Sequence, residues 1–168
     1  MPKGESKAAT NSYSRGQWNV NYLKFLTDFM DEMNLTTASA AKVVGISRQS
    51  IYYWLTKDDA KISSINKFFE AFGYEIIFDL EKKRKASTAD ITIEIKREVS
   101  KGEKNLTFLD EGLKRYKVNR AELLKKLQLS ATTLCYWMNS DDIFISYVYK
   151  IAEASDLTVK VMIRPKAA

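Results

Sequence analysis

Residues 43–54 read VVGISRQSIYYW, a glycine and a serine followed by polar and aromatic residues. Gly45 stands where a turn between two helices needs a residue that tolerates positive φ. Ser47 can cap a following helix, because its side-chain oxygen can accept a hydrogen bond from a backbone N–H of the first turn. Three apolar residues are spaced to point into a small core: Ile46, Ile51 and Trp54. The stretch therefore predicts a turn followed by a short amphipathic helix.

A similar stretch recurs in the second part of the chain as KLQLSATTLCYW, residues 126–137. The register between the two is gapless and aligns Trp54 with Trp137, and the pair at 58–59 with the pair at 141–142, both of which read DD. The two copies are separated by a constant 83 positions (137 − 54), which is the repeat offset. Two residues that this offset relates are called counterparts. Apolar positions coincide over much of each copy, which indicates a tandem duplication of one small module.

Each copy predicts four short helices followed by a strand. The first helices bury one apolar face each, formed by Leu23, Leu26, Phe29, Met30 and Met33 in one copy and by Leu106, Leu109, Leu113 and Tyr116 in the other. Thr37 and Asn119 or Arg120 open the second helices, and Ser47 and Ser130 cap the third. Alternating apolar residues predict strands at 74–81, 89–96 and 157–163. The expected fold is mainly α with a small β-sheet.

The charge distribution separates four segments. We expect a disordered polar arm at 1–18, a first module at 19–81, a basic linker at 82–104 and a second module at 105–168. The chain has a net charge of +6 and a pI near 9.2, which suits a polyanionic partner. The first module, however, carries six basic and nine acidic side chains, a net charge of −3.

Composition argues against several classes of protein. The sequence has no apolar run of membrane-spanning length and begins without a secretory signal pattern, so we expect a cytoplasmic, nucleoid-associated protein. It contains no histidine, and Cys135 is its one cysteine, which removes intrachain disulfides, common zinc sites and histidine-dependent catalysis. We therefore expect neither an enzyme nor a bound cofactor or metal. Cys135 itself is expected to be a small, half-buried residue.

The stretch 37–56, TASAAKVVGISRQSIYYWLT, resembles the helix-turn-helix of phage-repressor-like (lambda-repressor-like, Xre-type) regulators. Ala41 matches the small residue at which the two helices of this motif cross. The resemblance implies double-stranded DNA as the partner, with Arg48 and Gln49 reading bases. It also implies contacts to the DNA backbone from Thr37, Ser47, Tyr52, Tyr53 and Lys57. Half-buried packing of the two tyrosines, and simple solvation of Arg48, are the alternatives.

The second copy, RAELLKKLQLSATTLCYWMN at 120–139, departs from the motif at two positions. Leu124 replaces Ala41, and Gln128 replaces Gly45. Its outward face is expected to contain no arginine and to consist of Ala131, Thr132, Cys135 and Tyr136. The candidate DNA contacts of this copy are Ser130, Thr132, Thr133 and Tyr136, and its candidate phosphate contacts are Lys125, Lys126, Arg115 and Lys117.

The duplication suggests that one chain supplies both modules of a dimer. Regulators of this type act as dimers, so we expect an intramolecular pseudo-dimer whose three strands form one shared sheet. Because the two outward faces differ, the expected operator is asymmetric, or is read in one half only. Homodimerisation or a protein partner at the strand edges is an alternative, as is an antitoxin-like or scaffold module that keeps the fold and binds protein.

Overall fold

A computed structural model describes residues 21–83, 99 and 102–166. This part of the chain is mainly helical, with a two-stranded antiparallel sheet. The predicted arm at 1–18, the predicted strand at 89–96 and most of the basic linker lie outside the described residues. None of the helices in the described ranges combines the length and apolarity that a bilayer crossing requires.

Two sets of five elements follow one another. Residues 21–83, called the N-terminal half below, contain α1 (Lys24–Glu32), α2 (Thr37–Val44), α3 (Arg48–Lys57), α4 (Ile62–Ala71) and β1 (Tyr74–Lys82). Residues 102–166, the C-terminal half, contain α5 (Thr107–Arg115), α6 (Arg120–Leu127), α7 (Ala131–Ser140), α8 (Ile145–Ala154) and β2 (Leu157–Pro165). Every element of the second set begins and ends at the counterparts of the residues that begin and end its equivalent in the first. The predicted order of four helices and a strand is observed in each half, with strands slightly longer than expected.

The starts of the middle helices follow the capping residues. The side chains of Ser47 and Ser130 each accept a backbone hydrogen bond of 3.2 Å in the first turn of α3 and α7, which confirms both predicted caps. Asn119 caps α6, whose first residue is Arg120. Helix α2 begins at Thr37 as predicted, and Thr36 forms its cap through a reciprocal pair of hydrogen bonds with Ser39.

The core contains most of the predicted apolar positions. Those that are buried include Leu23, Leu26, Phe29, Met30, Ile51, Leu106, Leu109 and Leu113. Met33 was predicted in this core but is 42% exposed, because α1 ends at Glu32 and the helical periodicity ends with it. Trp54, Trp137 and Tyr116 are half-buried and pack against the core from its edge, rather than inside it as predicted for the tryptophans.

Ile46 also lies outside the core. It was expected in the core, yet it is 36% exposed, since it lies in the turn between α2 and α3 where no helix directs its side chain inward. Its backbone N–H donates to the carbonyl oxygen of Ala41 at 3.1 Å. Ile46 thus contributes to the turn through its backbone, and Ile51 fills the core.

The strands join the two halves through a symmetric register. Phe78 of β1 stands opposite Val161 of β2, its own counterpart, and the pairing extends equally far to either side, from Tyr74 with Pro165 to Lys82 with Leu157. One face of the sheet packs on the helices through residues that include Phe78, Leu80, Val159, Val161 and Ile163. The central pair therefore lies on a local two-fold axis that relates β1 to β2.

A second pair of counterparts, outside the sheet, also lies on a local two-fold axis between the halves. Lys61 and Phe144, which the repeat offset also relates, form an isolated antiparallel bridge. Around it, the N–H of Ile62 donates to the carbonyl oxygen of Ile143 at 2.9 Å, and the N–H of Ile145 donates to that of Ala60 at 2.8 Å. Ile145 is the counterpart of Ile62, and Ile143 is the counterpart of Ala60. The two hydrogen bonds are therefore equivalent and run in opposite directions between the halves.

The repeated DD pair has two structural roles. Asp58 accepts hydrogen bonds from the N–H groups of Tyr22 and Leu23 within its own half, at 2.8 and 2.9 Å. Asp59 reaches the other half, where its carboxylate accepts the N–H and the hydroxyl of Ser146 at 2.9 and 2.6 Å. Asp142 does the same to Ser63, at 3.0 and 2.6 Å. Each half therefore caps the fourth helix of the other, whose own preceding residue provides no side-chain cap.

Candidate nucleic-acid interface

The α2–α3 unit is two short helices joined by a tight turn. Gly45 ends α2 in the left-handed region, with φ of 82°, and its N–H donates to the carbonyl oxygen of Ala41. Ser47 is extended and starts α3. Ala40 and Ala41 are buried in α2, and Ile51 is buried in α3. Small residues thus face the core where the helices pack, and the glycine permits the sharp change of direction.

One side of α3 faces solvent. This outward face consists of Arg48, Gln49, Tyr52, Tyr53 and Lys57, all of which are exposed. Tyr52 is 63% and Tyr53 61% exposed, so half-buried packing is the wrong interpretation for both. A phenol ring left in water gains nothing for folding, whereas it can pack on a sugar or base and donate a hydrogen bond to phosphate.

Lys57 and Tyr53 form a local pair on this face. The Lys57 ammonium lies over the Tyr53 ring at 5.6 Å from its centroid, one helical turn further along. The contact holds a cation beside an aromatic ring, an arrangement suited to the sugar–phosphate edge of a nucleic acid. At the equivalent place in α7, the Ser140 hydroxyl donates to the carbonyl oxygen of Tyr136.

The charge of the α2–α3 unit is opposite in sign to that of its half. Residues 37–57 contain Lys42, Arg48 and Lys57 and no acidic residue, whereas the module 19–81 has a net charge of −3. Many carboxylates of this half are held by contacts elsewhere, as in Asp28 with Lys24, Asp59 with Ser146, and Glu70 with Lys166. The outward face is therefore locally cationic. Lys42, exposed in the last turn of α2, was not predicted as a candidate. The sequence did contain a signal for it, because it is a cation among uncharged neighbours.

Two predicted backbone-contact residues lie at helix starts. Thr37 is the first residue of α2 and is half-buried. Ser47 is exposed, and its hydroxyl lies 3.0 Å from that of Ser50. Both stand at helix N-termini, where backbone N–H groups and the helix dipole favour a phosphate.

The α6–α7 unit repeats the geometry with different residues. Gln128 takes the left-handed conformation of Gly45, with φ of 56°, at a cost of about 1 kcal/mol for a non-glycine residue. Leu124, in the place of Ala41, is half-buried. The outward face of α7 consists of Ala131, Thr132, Cys135 and Tyr136, all exposed, with Tyr136 at 68%. Cys135 was expected to be half-buried; it is exposed because Leu134 is the residue that α7 directs into the core.

The remaining candidates in this half have mixed surroundings. Ser130 and the half-buried Thr133 are engaged in the cap of α7, with their hydroxyl oxygens 3.0 Å apart. Arg115 lies 3.6 Å from Asp79 of the other half, and Lys126 donates to the carbonyl oxygen of Ala154 at 3.3 Å. Lys117 and Lys125 are exposed. Of the four predicted phosphate contacts, two therefore have contacts that stabilise the fold.

Helices α3 and α7 are fixed to the junction of the halves at their C-terminal ends. Asp58 and Asp141 directly follow these helices, each with φ of 56°, and each accepts hydrogen bonds from the backbone N–H groups of the two residues before the first helix of its own half. The next residues, Asp59 and Asp142, bind the opposite half. Each outward helix is thus held to both halves through the two consecutive residues that follow it.

Comparisons with known proteins assign no family, since no family model, curated protein or solved structure matches the chain. Among residues 21–83, 99 and 102–166, no three Cys, Asp or Glu side chains form a group that could hold a metal ion.

Proposed function

We propose that this protein is a sequence-specific double-stranded DNA-binding transcriptional regulator of bacterial or phage type, without enzymatic activity. The observation that carries the proposal is the outward face of α3. It presents two largely exposed tyrosines between cationic residues, on a helix-turn-helix unit that contains no carboxylate. A surface of this composition attracts phosphate and offers hydrogen-bond donors to base edges.

In the proposed complex, the N-terminal end of α3 enters a major groove. Arg48 donates two hydrogen bonds to a guanine, and Gln49 pairs with an adenine. Thr37, Ser47, Tyr52, Tyr53 and Lys57 hold the helix on the backbone. Lys42, exposed on α2, adds a further phosphate contact.

We further propose that the two halves act as an intramolecular pseudo-dimer. The symmetric strand register and the reciprocal contacts of Asp59 and Asp142 support this arrangement. A two-fold relation would direct α3 and α7 at successive major grooves, about 34 Å apart. Because the face of α7 carries no charged residue, the two half-sites of the operator would differ.

An antitoxin-like or scaffold module is the second candidate, and the face of α7 favours it. Tyr136 is 68% exposed beside Ala131, Thr132 and Cys135, a neutral surface better suited to protein than to phosphate. In that case α7 would contact a protein while the fold stays the same.

Binding of single-residue variants to a duplex selected from a random library tests the DNA-binding proposal. Arg48→Ala is expected to weaken binding by about 1 to 3 kcal/mol and to relax the preference for one base pair. Lys67→Ala, which removes a cation from the surface of α4 in the same half, is the matched control and should bind like the wild type. Equal affinity of Arg48→Ala and the wild type would contradict base reading by this residue.

A further inference from the structure

The interface between the two halves joins counterpart positions, but the residues at those positions differ. In a pair of two N-terminal halves, every contact made by a residue of the C-terminal half would be made by that residue's counterpart. Contacts that this exchange would break favour the pairing of unlike halves.

The centre of the sheet combines a large and a small residue. Phe78 stands opposite Val161, and its ring contacts that of Phe108 in the other half at 5.6 Å between centroids. Two N-terminal halves would place two phenylalanines on the axis, and two C-terminal halves would place two valines there. The first arrangement overfills a close-packed site and the second leaves it underfilled.

A helix contact nearby follows the same rule. Leu80 of β1 packs so closely on α5 that a Cβ on Gly112 would lie 2.8 Å from the Leu80 Cδ1 atom. The counterpart of Gly112 is Phe29. A second N-terminal half would bring a phenylalanine against Leu80 where the structure accepts only glycine.

Two further sites, related by the symmetry, contain different chemistry. Tyr22 contacts Tyr149 of the other half with 5.2 Å between ring centroids. At the equivalent site, the Asn66 amide donates to the Asn105 side-chain oxygen at 2.8 Å. A like-with-like pair would set a tyrosine against an asparagine at both sites, which loses the ring contact and the amide hydrogen bond together.

Charges across the sheet are also sorted by half. Strand β1 supplies Glu75 and Glu81, which pair with Arg164 and Lys160 of β2. In a pair of N-terminal halves, Glu75 would stand opposite Glu81 twice. Asp79, now 3.6 Å from Arg115, would face Glu32. Like charges directly opposite each other destabilise a strand pair.

We infer that this interface is heterospecific: the N-terminal half recognises the C-terminal half and rejects a second copy of itself. Other contacts, such as Asp59 with Ser146 and Asp142 with Ser63, are the same in every pairing and supply affinity without discrimination. The discriminating contacts ensure that each assembly combines one α3 face with one α7 face.

The test uses the full chain with a protease site inserted within 84–98, cut after purification so that the halves are separate polypeptides. The cut protein is denatured, refolded and examined by native mass spectrometry. We expect the pairing of one N-terminal with one C-terminal half to exceed each like pair at least tenfold. A mixture close to the random ratio of 1:2:1 would overturn the inference.

A second test on the uncut chain covers failure of the cut protein to refold. Arg164→Glu alone sets glutamate opposite Glu75, as a pair of N-terminal halves would, and Glu75→Arg alone sets arginine opposite Arg164. Each change is expected to raise the unfolding equilibrium constant about 3- to 10-fold, and the double reversal is expected to recover most of that loss. Lys24→Glu, which breaks a salt bridge within one half, is the control and should show no recovery in combination with either change. Absence of recovery in the double reversal would overturn the inference.

Discussion

Replacing Asp59 by alanine removes a carboxylate that one half supplies to the other. Two hydrogen bonds between the halves are lost, from the N–H and the hydroxyl of Ser146, which is 7% exposed, together with a local one from the N–H of Ala60. A hydrogen bond to a charged group contributes about 1.5 to 3 kcal/mol, and a lost helix cap costs about 1 kcal/mol, but the two effects overlap here. We expect Asp59→Ala to lower the free energy of unfolding by about 2 to 3 kcal/mol.

Urea denaturation, followed by tryptophan fluorescence, measures this loss. Asp142→Ala should show a loss of similar size, because Asp142 makes the same two contacts with Ser63. Asp31→Ala, which removes an exposed carboxylate from α1, is the matched control and should change stability by less than about 0.5 kcal/mol. If Asp59→Ala and Asp142→Ala lower stability no more than the control does, the reasoning that each half caps the fourth helix of the other is refuted.

Three further sets of variants test the turn, a half-buried tyrosine and the outward face. Gln128→Gly should raise stability by up to about 1 kcal/mol in thermal unfolding and Gly45→Ala should lower it by about as much, since both positions have positive φ; a loss for Gln128→Gly or a gain for Gly45→Ala would contradict this. Burial, with Asp58 and Tyr22 nearby, raises the pKa of Tyr149 to about 12, so its contribution to stability is complete below pH 10 and is lost as pH rises toward 12. Tyr149→Phe should therefore flatten alkaline unfolding by up to about 3 kcal/mol, and parallel curves would exclude this role. Tyr52→Ala and Tyr53→Ala should leave stability within about 0.5 kcal/mol but weaken DNA binding in a gel-shift assay, and unchanged binding would remove them from the interface.

Local signals predicted much of the fold. Ser47, Gly45 and β1 could be predicted from the sequence, because helix capping, turn formation and strand alternation each depend on only a few neighbouring residues. The repeat register strengthened these predictions, because two copies gave the same pattern. The exposure of Arg48, Gln49, Tyr52 and Tyr53 followed once Ile51 was assigned to the core.

Non-local contacts were less legible. The repeated DD pair was visible, but its role depends on which surfaces meet, and no local pattern shows that Asp59 reaches Ser146 in the other half. Ile46 and Met33 were wrongly predicted to lie in the core. Both lie just outside a helix, where the helical periodicity no longer determines which way an apolar side chain points. To predict the contacts of Tyr22 with Tyr149 and of Asn66 with Asn105, both the strand register and the two-fold relation between the halves would have to be known.

Selection of binding sites from a random duplex library, followed by salt titration of the affinity, tests sequence-specific DNA recognition most directly. We predict enrichment of an asymmetric site, with the strongest base preference in one half, and an affinity that falls as a power of the salt concentration. A pool that shows no enriched sequence over repeated rounds, while the protein remains folded, would contradict the proposed function.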